Sequence, residues 1–130
     1  MGRVHQVSRR YLLDTTTLIW AAENSARLPT AHAGILAAQE GLVVSIVSFW
    51  EIAIKQSLGK LTIDGDIDAE VKGSGIPLLG VELAHVETVR NLPLHHRDPF
   101  DRMLIAQAQV EGLTILTSDR HFAAYAVDLA

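Results

Sequence analysis

The apolar positions of this chain fall into two kinds of run. "YLLD" at 11–14, "LVVS" at 42–45 and "LTILTSD" at 113–119 are short apolar stretches closed by hydroxyls or an acid. Runs of this length without polar alternation read as strands buried on both faces. Between them the apolar residues recur at helical spacing. "TTTLIWAAEN" follows the first strand as a turn and helix, and "TAHAGILAAQE" at 30–40 reads as a helix with Thr30 as its cap and Gly41 as its stop. "VSFWEIAIKQSL" at 47–58 is helical and closed by Gly59, a residue type favoured just past a helix end. A further helix is expected near 66–72, then the linker-like loop "KGSGIP" at 72–77, the apolar stretch "IPLLGV", and a helix near 82–90. Residues 99–111 form the clearest helix, opened by Pro99 at a first position where a missing N–H costs nothing. Strands alternating with helices predict an α/β fold with a central, mostly parallel sheet flanked by helices on both faces. Sites in such sheets lie beyond the carboxyl ends of the strands, where Asp14 and Asp119 fall.

Composition narrows the class. A chain of 130 residues, 48% apolar and 20% charged, is the size of one folded domain, expected to span 1–130 with a core from about 10 and with residues 1–9 flexible. Neither a membrane span of roughly 18 to 20 apolar residues nor a signal peptide is visible, so a soluble, cytoplasmic protein is expected. The absence of cysteine excludes disulfides, thiolate metal sites and thiol nucleophiles. Chemistry is left to carboxylates, histidines, hydroxyls or a bound ion. The net charge of −4 runs against a surface that attracts nucleic acid by overall positive potential.

Each candidate acid has a structural explanation when taken alone. Asp14 suits an N-cap after the first strand. Glu51 can pair with Lys55 one turn later. Asp98 and Asp101, on either side of Pro99, resemble a capping box. Asp119, after Thr117 and Ser118, suits the start of a helical turn. Their shared placement needs more, because a parallel fold brings strand ends and helix starts to one edge. Carboxylates gathered there would repel unless a cation lay among them, and Mg²⁺ takes oxygen ligands while keeping waters. Phosphodiester hydrolysis is the matching reaction class. Asp14, Glu51, Asp101 and Asp119 account for the whole charge of −4, and Lys55, Arg97, Arg102 and Arg120 lie near them in sequence as candidate phosphate contacts.

At these residues the sequence resembles the PIN-domain proteins, specifically the VapC-type toxins of type II toxin–antitoxin pairs. The likeness covers nearly the whole chain through "YLLDTTTLIW", "SFWEIAIKQSLGKL", "LPLHHRDPFDRMLIAQA" and "LTILTSDRHFAAY", in that order. The resemblance implies a PIN-like fold and a Mg²⁺- or Mn²⁺-dependent endoribonuclease, usually dimeric and silenced by a cognate antitoxin. It implies metal-binding and catalytic roles for Asp14, Glu51 and Asp119, with either Asp98 or Asp101 as the remaining ligand. Where the family often has His or Ser two places after the first Asp, this chain has Thr16, whose hydroxyl can still position water. Thr16 and Ser118 therefore join the basic residues as candidate substrate contacts.

Other features point elsewhere. His95 and His96 are tandem loop histidines without a spaced partner for a zinc site, and a surface or core-edge role is expected of them. Trp20 and Trp50 could stack bases, but each lies in an apolar helical run that favours core or dimer packing, and the helix at 47–58 is a candidate subunit interface. A housekeeping RNA-processing PIN nuclease is the alternative enzyme. A receiver-like signalling domain fits poorly, since Asp14 stands alone and no lysine follows Lys72. An inactive interaction module would be expected to lack at least one acid of the set.

Overall fold

The computed structural model describes residues 9–130, so the expected flexibility of residues 1–9 concerns positions that, Arg9 apart, lie outside the described residues. Four strands, β1 (Tyr11–Leu13), β2 (Leu42–Ser45), β3 (Leu78–Leu79) and β4 (Thr114–Leu116), form one sheet in the order β3-β2-β1-β4. Every pairing is parallel: Leu12 lies opposite Val43 on one side and Ile115 on the other. Six α-helices surround it: α1 (Thr15–Ala22), α2 (Thr30–Ala38), α3 (Ile46–Ser57), α4 (Ile67–Ser74), α5 (Leu83–Asn91) and α6 (Pro99–Glu111). A 3₁₀ turn at Arg120–Ala124 follows β4.

The period of two along the strands sorts the core into two layers. Leu12, Val43 and Ile115 pack against Leu104, Ile105 and Ala108 of α6, with Leu92 and Phe122. Their neighbours Leu13, Leu42, Val44 and Leu116 face the other way, onto Leu18 of α1, Ile52 of α3, and Ile67 and Val71 of α4. Unbroken apolar runs were thus the mark of strands covered on both sides. None of the helices among the described residues is long and apolar enough to cross a membrane.

Four expected boundaries move. Thr30 is the first helical residue of α2, not its cap; Pro29 occupies the cap position and makes no side-chain bond. That helix ends at Gln39, which takes the left-handed conformation (φ 54°) before Gly41 is reached. Gly41 (φ 69°) is needed for another reason, since a Cβ there would lie 2.5 Å from the Arg9 carbonyl oxygen. The loop expected at 72–77 is half helix. Helix α4 continues through Ser74, whose hydroxyl donates to the Val71 carbonyl (2.6 Å), and Gly75 (φ 78°) ends it. The last strand stops at Leu116, because Thr117 and the residues after it turn toward Asp14.

Candidate active site

The carboxyl ends of the adjacent strands β1 and β4 bring Asp14 and Thr117 together. Asp14 caps α1, with one carboxylate oxygen accepting from the Thr17 N–H at 2.8 Å. The other oxygen accepts the Thr117 hydroxyl at 2.5 Å. That hydroxyl in turn accepts from the Asp119 N–H at 2.9 Å, so Thr117 joins the two acids. Burial raises the Asp14 pKa; the bonds from Thr117 and Thr17 oppose this without cancelling it, and the Asp119 charge adds to the rise. Asp119 behaves oppositely. Its modest burial raises the pKa, but the backbone N–H and ring of His121 outweigh that and hold it below the ordinary carboxylate range. Both His121 donors meet the same oxygen, Oδ1, at 2.9 and 2.8 Å.

Helices α3 and α6 supply the other acids. Asp98 is the N-cap of α6, its Oδ1 accepting from the N–H groups of Phe100 (2.8 Å) and Asp101 (3.1 Å). Asp101, one turn on, is 2.8 Å from Nε2 of His96. The two aspartates therefore divide the work: one satisfies the orphan donors of the helix start, and the other faces a histidine. Glu51 is buried in α3, pairing through Oε2 with Lys55 at 2.7 Å. Its Oε1 is buried without a partner among the described residues. The Lys55 pKa is raised, chiefly by Glu51 and further by Asp98 and Asp101, which places all three acids within its field.

Asp101 carries the largest consequence for pH. Burial, then the charge of Asp98, push its carboxyl from the ordinary 3.8 up to about 6, with His96 opposing and Glu51 adding. Between these values the folded chain holds a proton that the unfolded chain has released. Stability conferred by this group is therefore lost as pH rises through that window. Asp101→Asn, which cannot ionise, should be more stable than the parent near neutral pH by about 1 to 2 kcal/mol once solvent screening is allowed for. The difference should vanish below about pH 4. Urea unfolding in chelator at both pH values checks this; a variant less stable at neutral pH would contradict it.

The groups meet the requirements of a divalent cation. One ligand atom each from His96, Asp101 and Asp119 lie within 4.8 Å of one another. A buried carboxylate oxygen left without a partner, as in Glu51, is costly unless a positive charge reaches it. The residues fit such an ion by chemistry as well as position. A cavity of about 640 Å³ lined by Leu13, Leu18, Leu36 and Val71 includes none of these acids.

The expected substrate contacts separate. Thr16, Arg97, Ser118 and Arg120 are exposed beside the acids in sequence, and Lys55 is paired with Glu51. Arg102 has a different task from the one expected. Its guanidinium donates to the carbonyls of Pro93 (2.8 Å), Val89 (3.2 Å), Leu92 (3.3 Å) and His96 (3.5 Å), and to the Tyr125 hydroxyl (3.4 Å). It clamps the segment that carries His96. Trp50 is not core: it is 60% exposed, with its ring edge-on to Phe100 at 5.1 Å. His95 and His96 do diverge, the former packing against Tyr125, but His96 turns into the acids. His121 completes the group, 5.3 Å from the His96 ring. Thr117, His96 and His121 were not legible as site residues. The only cue for His121 is its place two residues after Asp119.

Comparison with known proteins agrees with this architecture. Solved structures with the same fold include VapBC2 from Rickettsia felis bound to a fragment of its promoter DNA, at 14% identity and TM-score 0.69, covering 92% of this chain and 96% of that one. DNA-bound VapBC from Salmonella typhimurium is 18% identical with TM-score 0.67, covering 95% and 98%. A toxin–antitoxin complex from Klebsiella pneumoniae is 14% identical with TM-score 0.62, covering 92% and 95%. No curated protein matches the sequence. The PIN domain profile matches residues 11–128. On that match, and as its sequence blocks implied, the chain belongs to the PIN domain family.

Proposed function

We propose that this chain is a Mg²⁺- or Mn²⁺-dependent endoribonuclease of one domain, the VapC-type toxin of a type II toxin–antitoxin pair acting in the cytoplasm. The observation that carries the reading is the gathering of Asp101, Asp119 and His96 within 4.8 Å, with Asp14 in the field of Asp119, Glu51 in that of Asp101, and a buried Glu51 oxygen left unpartnered. Glu51, Asp101 and Asp119 would hold the ion, and Asp14 adds its charge while fixing Thr117. When bound, a divalent ion supplies charge for a phosphoryl transition state and lowers the pKa of water. The protein's own groups do the positioning. Lys55 keeps one Glu51 oxygen occupied, so that the other is the one presented. His121 occupies Oδ1 of Asp119 and leaves Oδ2 open. Exposed Thr16, Arg97, Ser118 and Arg120 suit the approach of an RNA backbone.

An antitoxin partner follows from kinship with chains solved in toxin–antitoxin complexes. A homodimer accords with apolar residues left exposed on α3, Ile46 and Trp50, one helical turn apart.

The test has two arms. Purified protein should cleave RNA with added Mg²⁺ or Mn²⁺ and stop when chelator is added; unchanged cleavage in chelator would refute the metal mechanism. Expression should arrest growth, relieved by the product of an adjacent small gene. A harmless product without such a neighbour would favour a housekeeping RNA-processing nuclease.

A further inference from the structure

We propose that His96 is a nitrogen ligand of the cation site, so that the site favours first-row transition ions, Co²⁺ and Zn²⁺ most and Mn²⁺ to a lesser degree, over Mg²⁺. The inference rests on the cation site of the reading above and names the class of ion it takes.

The geometry leads here. The His96 Nε2 to Asp101 Oδ2 separation of 2.8 Å suits a hydrogen bond, but it also suits two neighbouring ligands of one ion. Adjacent ligands lie about 3 Å apart in an octahedral shell with bonds of roughly 2.1 Å. Asp119 brings a third ligand atom within the same 4.8 Å span, from a separate part of the chain. An independent sign of a missing positive charge is Glu51 Oε1, on a residue 5% exposed and close enough for its charge to act on Asp101.

His96 is held for the task. Its backbone N–H donates to the Tyr125 hydroxyl at 2.8 Å, and Arg102 reaches its carbonyl. Its side chain is only 21% exposed. With an ion bound through Nε2, the ring proton would sit on Nδ1. His121 lies outside this group of ligand atoms; its Nδ1 meets Asp119 Oδ1 at 2.8 Å and orients that carboxylate. It is a positioning residue.

Ligand chemistry then sets the preference. An all-oxygen shell suits Mg²⁺, which also sheds water reluctantly, whereas imidazole suits the later first-row ions. Exchanging one oxygen for nitrogen shifts the balance toward Mn²⁺ and beyond.

The test uses Mn²⁺ alone, without RNA. Pulsed EPR of the Mn²⁺-loaded chain should show electron spin-echo modulation from a coordinated ¹⁴N, replaced by the ¹⁵N pattern when histidine is ¹⁵N-labelled. In His96→Asn that modulation should disappear while Mn²⁺ still binds about 10- to 100-fold more weakly. Excess Mg²⁺ should displace Mn²⁺ more readily from the variant than from the parent. Bound Mn²⁺ without nitrogen modulation in the parent would overturn the proposal, as would modulation that survives in His96→Asn. Cleavage of RNA with Mg²⁺ in either case would leave the nuclease reading standing. Failure of the parent to bind Mn²⁺ at all would remove both.

Discussion

Asp119→Asn is expected to slow RNA cleavage by about 10²- to 10³-fold, the scale seen when one electrostatic group is removed from a transition-state site. Its carboxylate is partly open, with its side chain 38% exposed, so the change falls on chemistry more than folding. The amide oxygen can keep Oδ1's place and accept from His121. The amide nitrogen then occupies the position of Oδ2 and turns donor hydrogens toward the cation site. A negative charge is lost and a repulsive group takes its place. Single-turnover cleavage of a labelled RNA at saturating Mg²⁺ and Mn²⁺ measures this, with a melting curve as the control for folding. A variant within tenfold of the parent at both ions would remove Asp119 from the machinery.

Arg102→Ala should be the most damaging exposed-to-intermediate substitution for stability. Five acceptors lose a donor at once, four of them carbonyls, one in the last turn of α5 and three in the segment leading to α6. Charged hydrogen bonds contribute roughly 1.5 to 3 kcal/mol each when measured singly, but a shared clamp is not additive, and some of these carbonyls can turn to water. A net loss of about 3 kcal/mol is expected, or roughly 10 °C in melting temperature at this chain length. Arg102→Lys should recover little, because an ammonium cannot span a planar fork of acceptors. Urea unfolding decides it: a loss under about 1 kcal/mol would mean that the clamp carries little energy.

The same residue shows where reading the sequence stops. The strands, the two-sided core and the helix opened by Pro99 were legible because their signals are local: run length, spacing, a proline at a first position. The acids were legible as candidates because Asp14 and Asp119 lie just beyond strands and a parallel sheet gathers strand ends. Arg102 and His96 were not, since both belong to the tertiary arrangement. "HHRDPFDR" shows a basic residue next to acids, and nothing in it tells whether the guanidinium faces a phosphate or folds back on carbonyls. Nor does it say which histidine of the pair turns inward; the Tyr125 hydroxyl, 29 positions from His96, takes part in that choice. The choice between Asp98 and Asp101 was open for the same reason; the cap bonds of Asp98 to Phe100 and Asp101 are visible only in the folded chain. Gln39 is a smaller case, a non-glycine in the left-handed region that ends α2 where the sequence pointed to Gly41.

The Thr117 hydroxyl spans 103 positions to reach Asp14, across the pairing of the first strand with the last. Contacts of such sequence separation form late, after the intervening chain is in place. During synthesis the emerging polypeptide therefore carries its acids scattered along an unclosed chain. A translation product broken off before β4 lacks both Thr117 and Asp119, and the acids come together only in a nearly finished molecule.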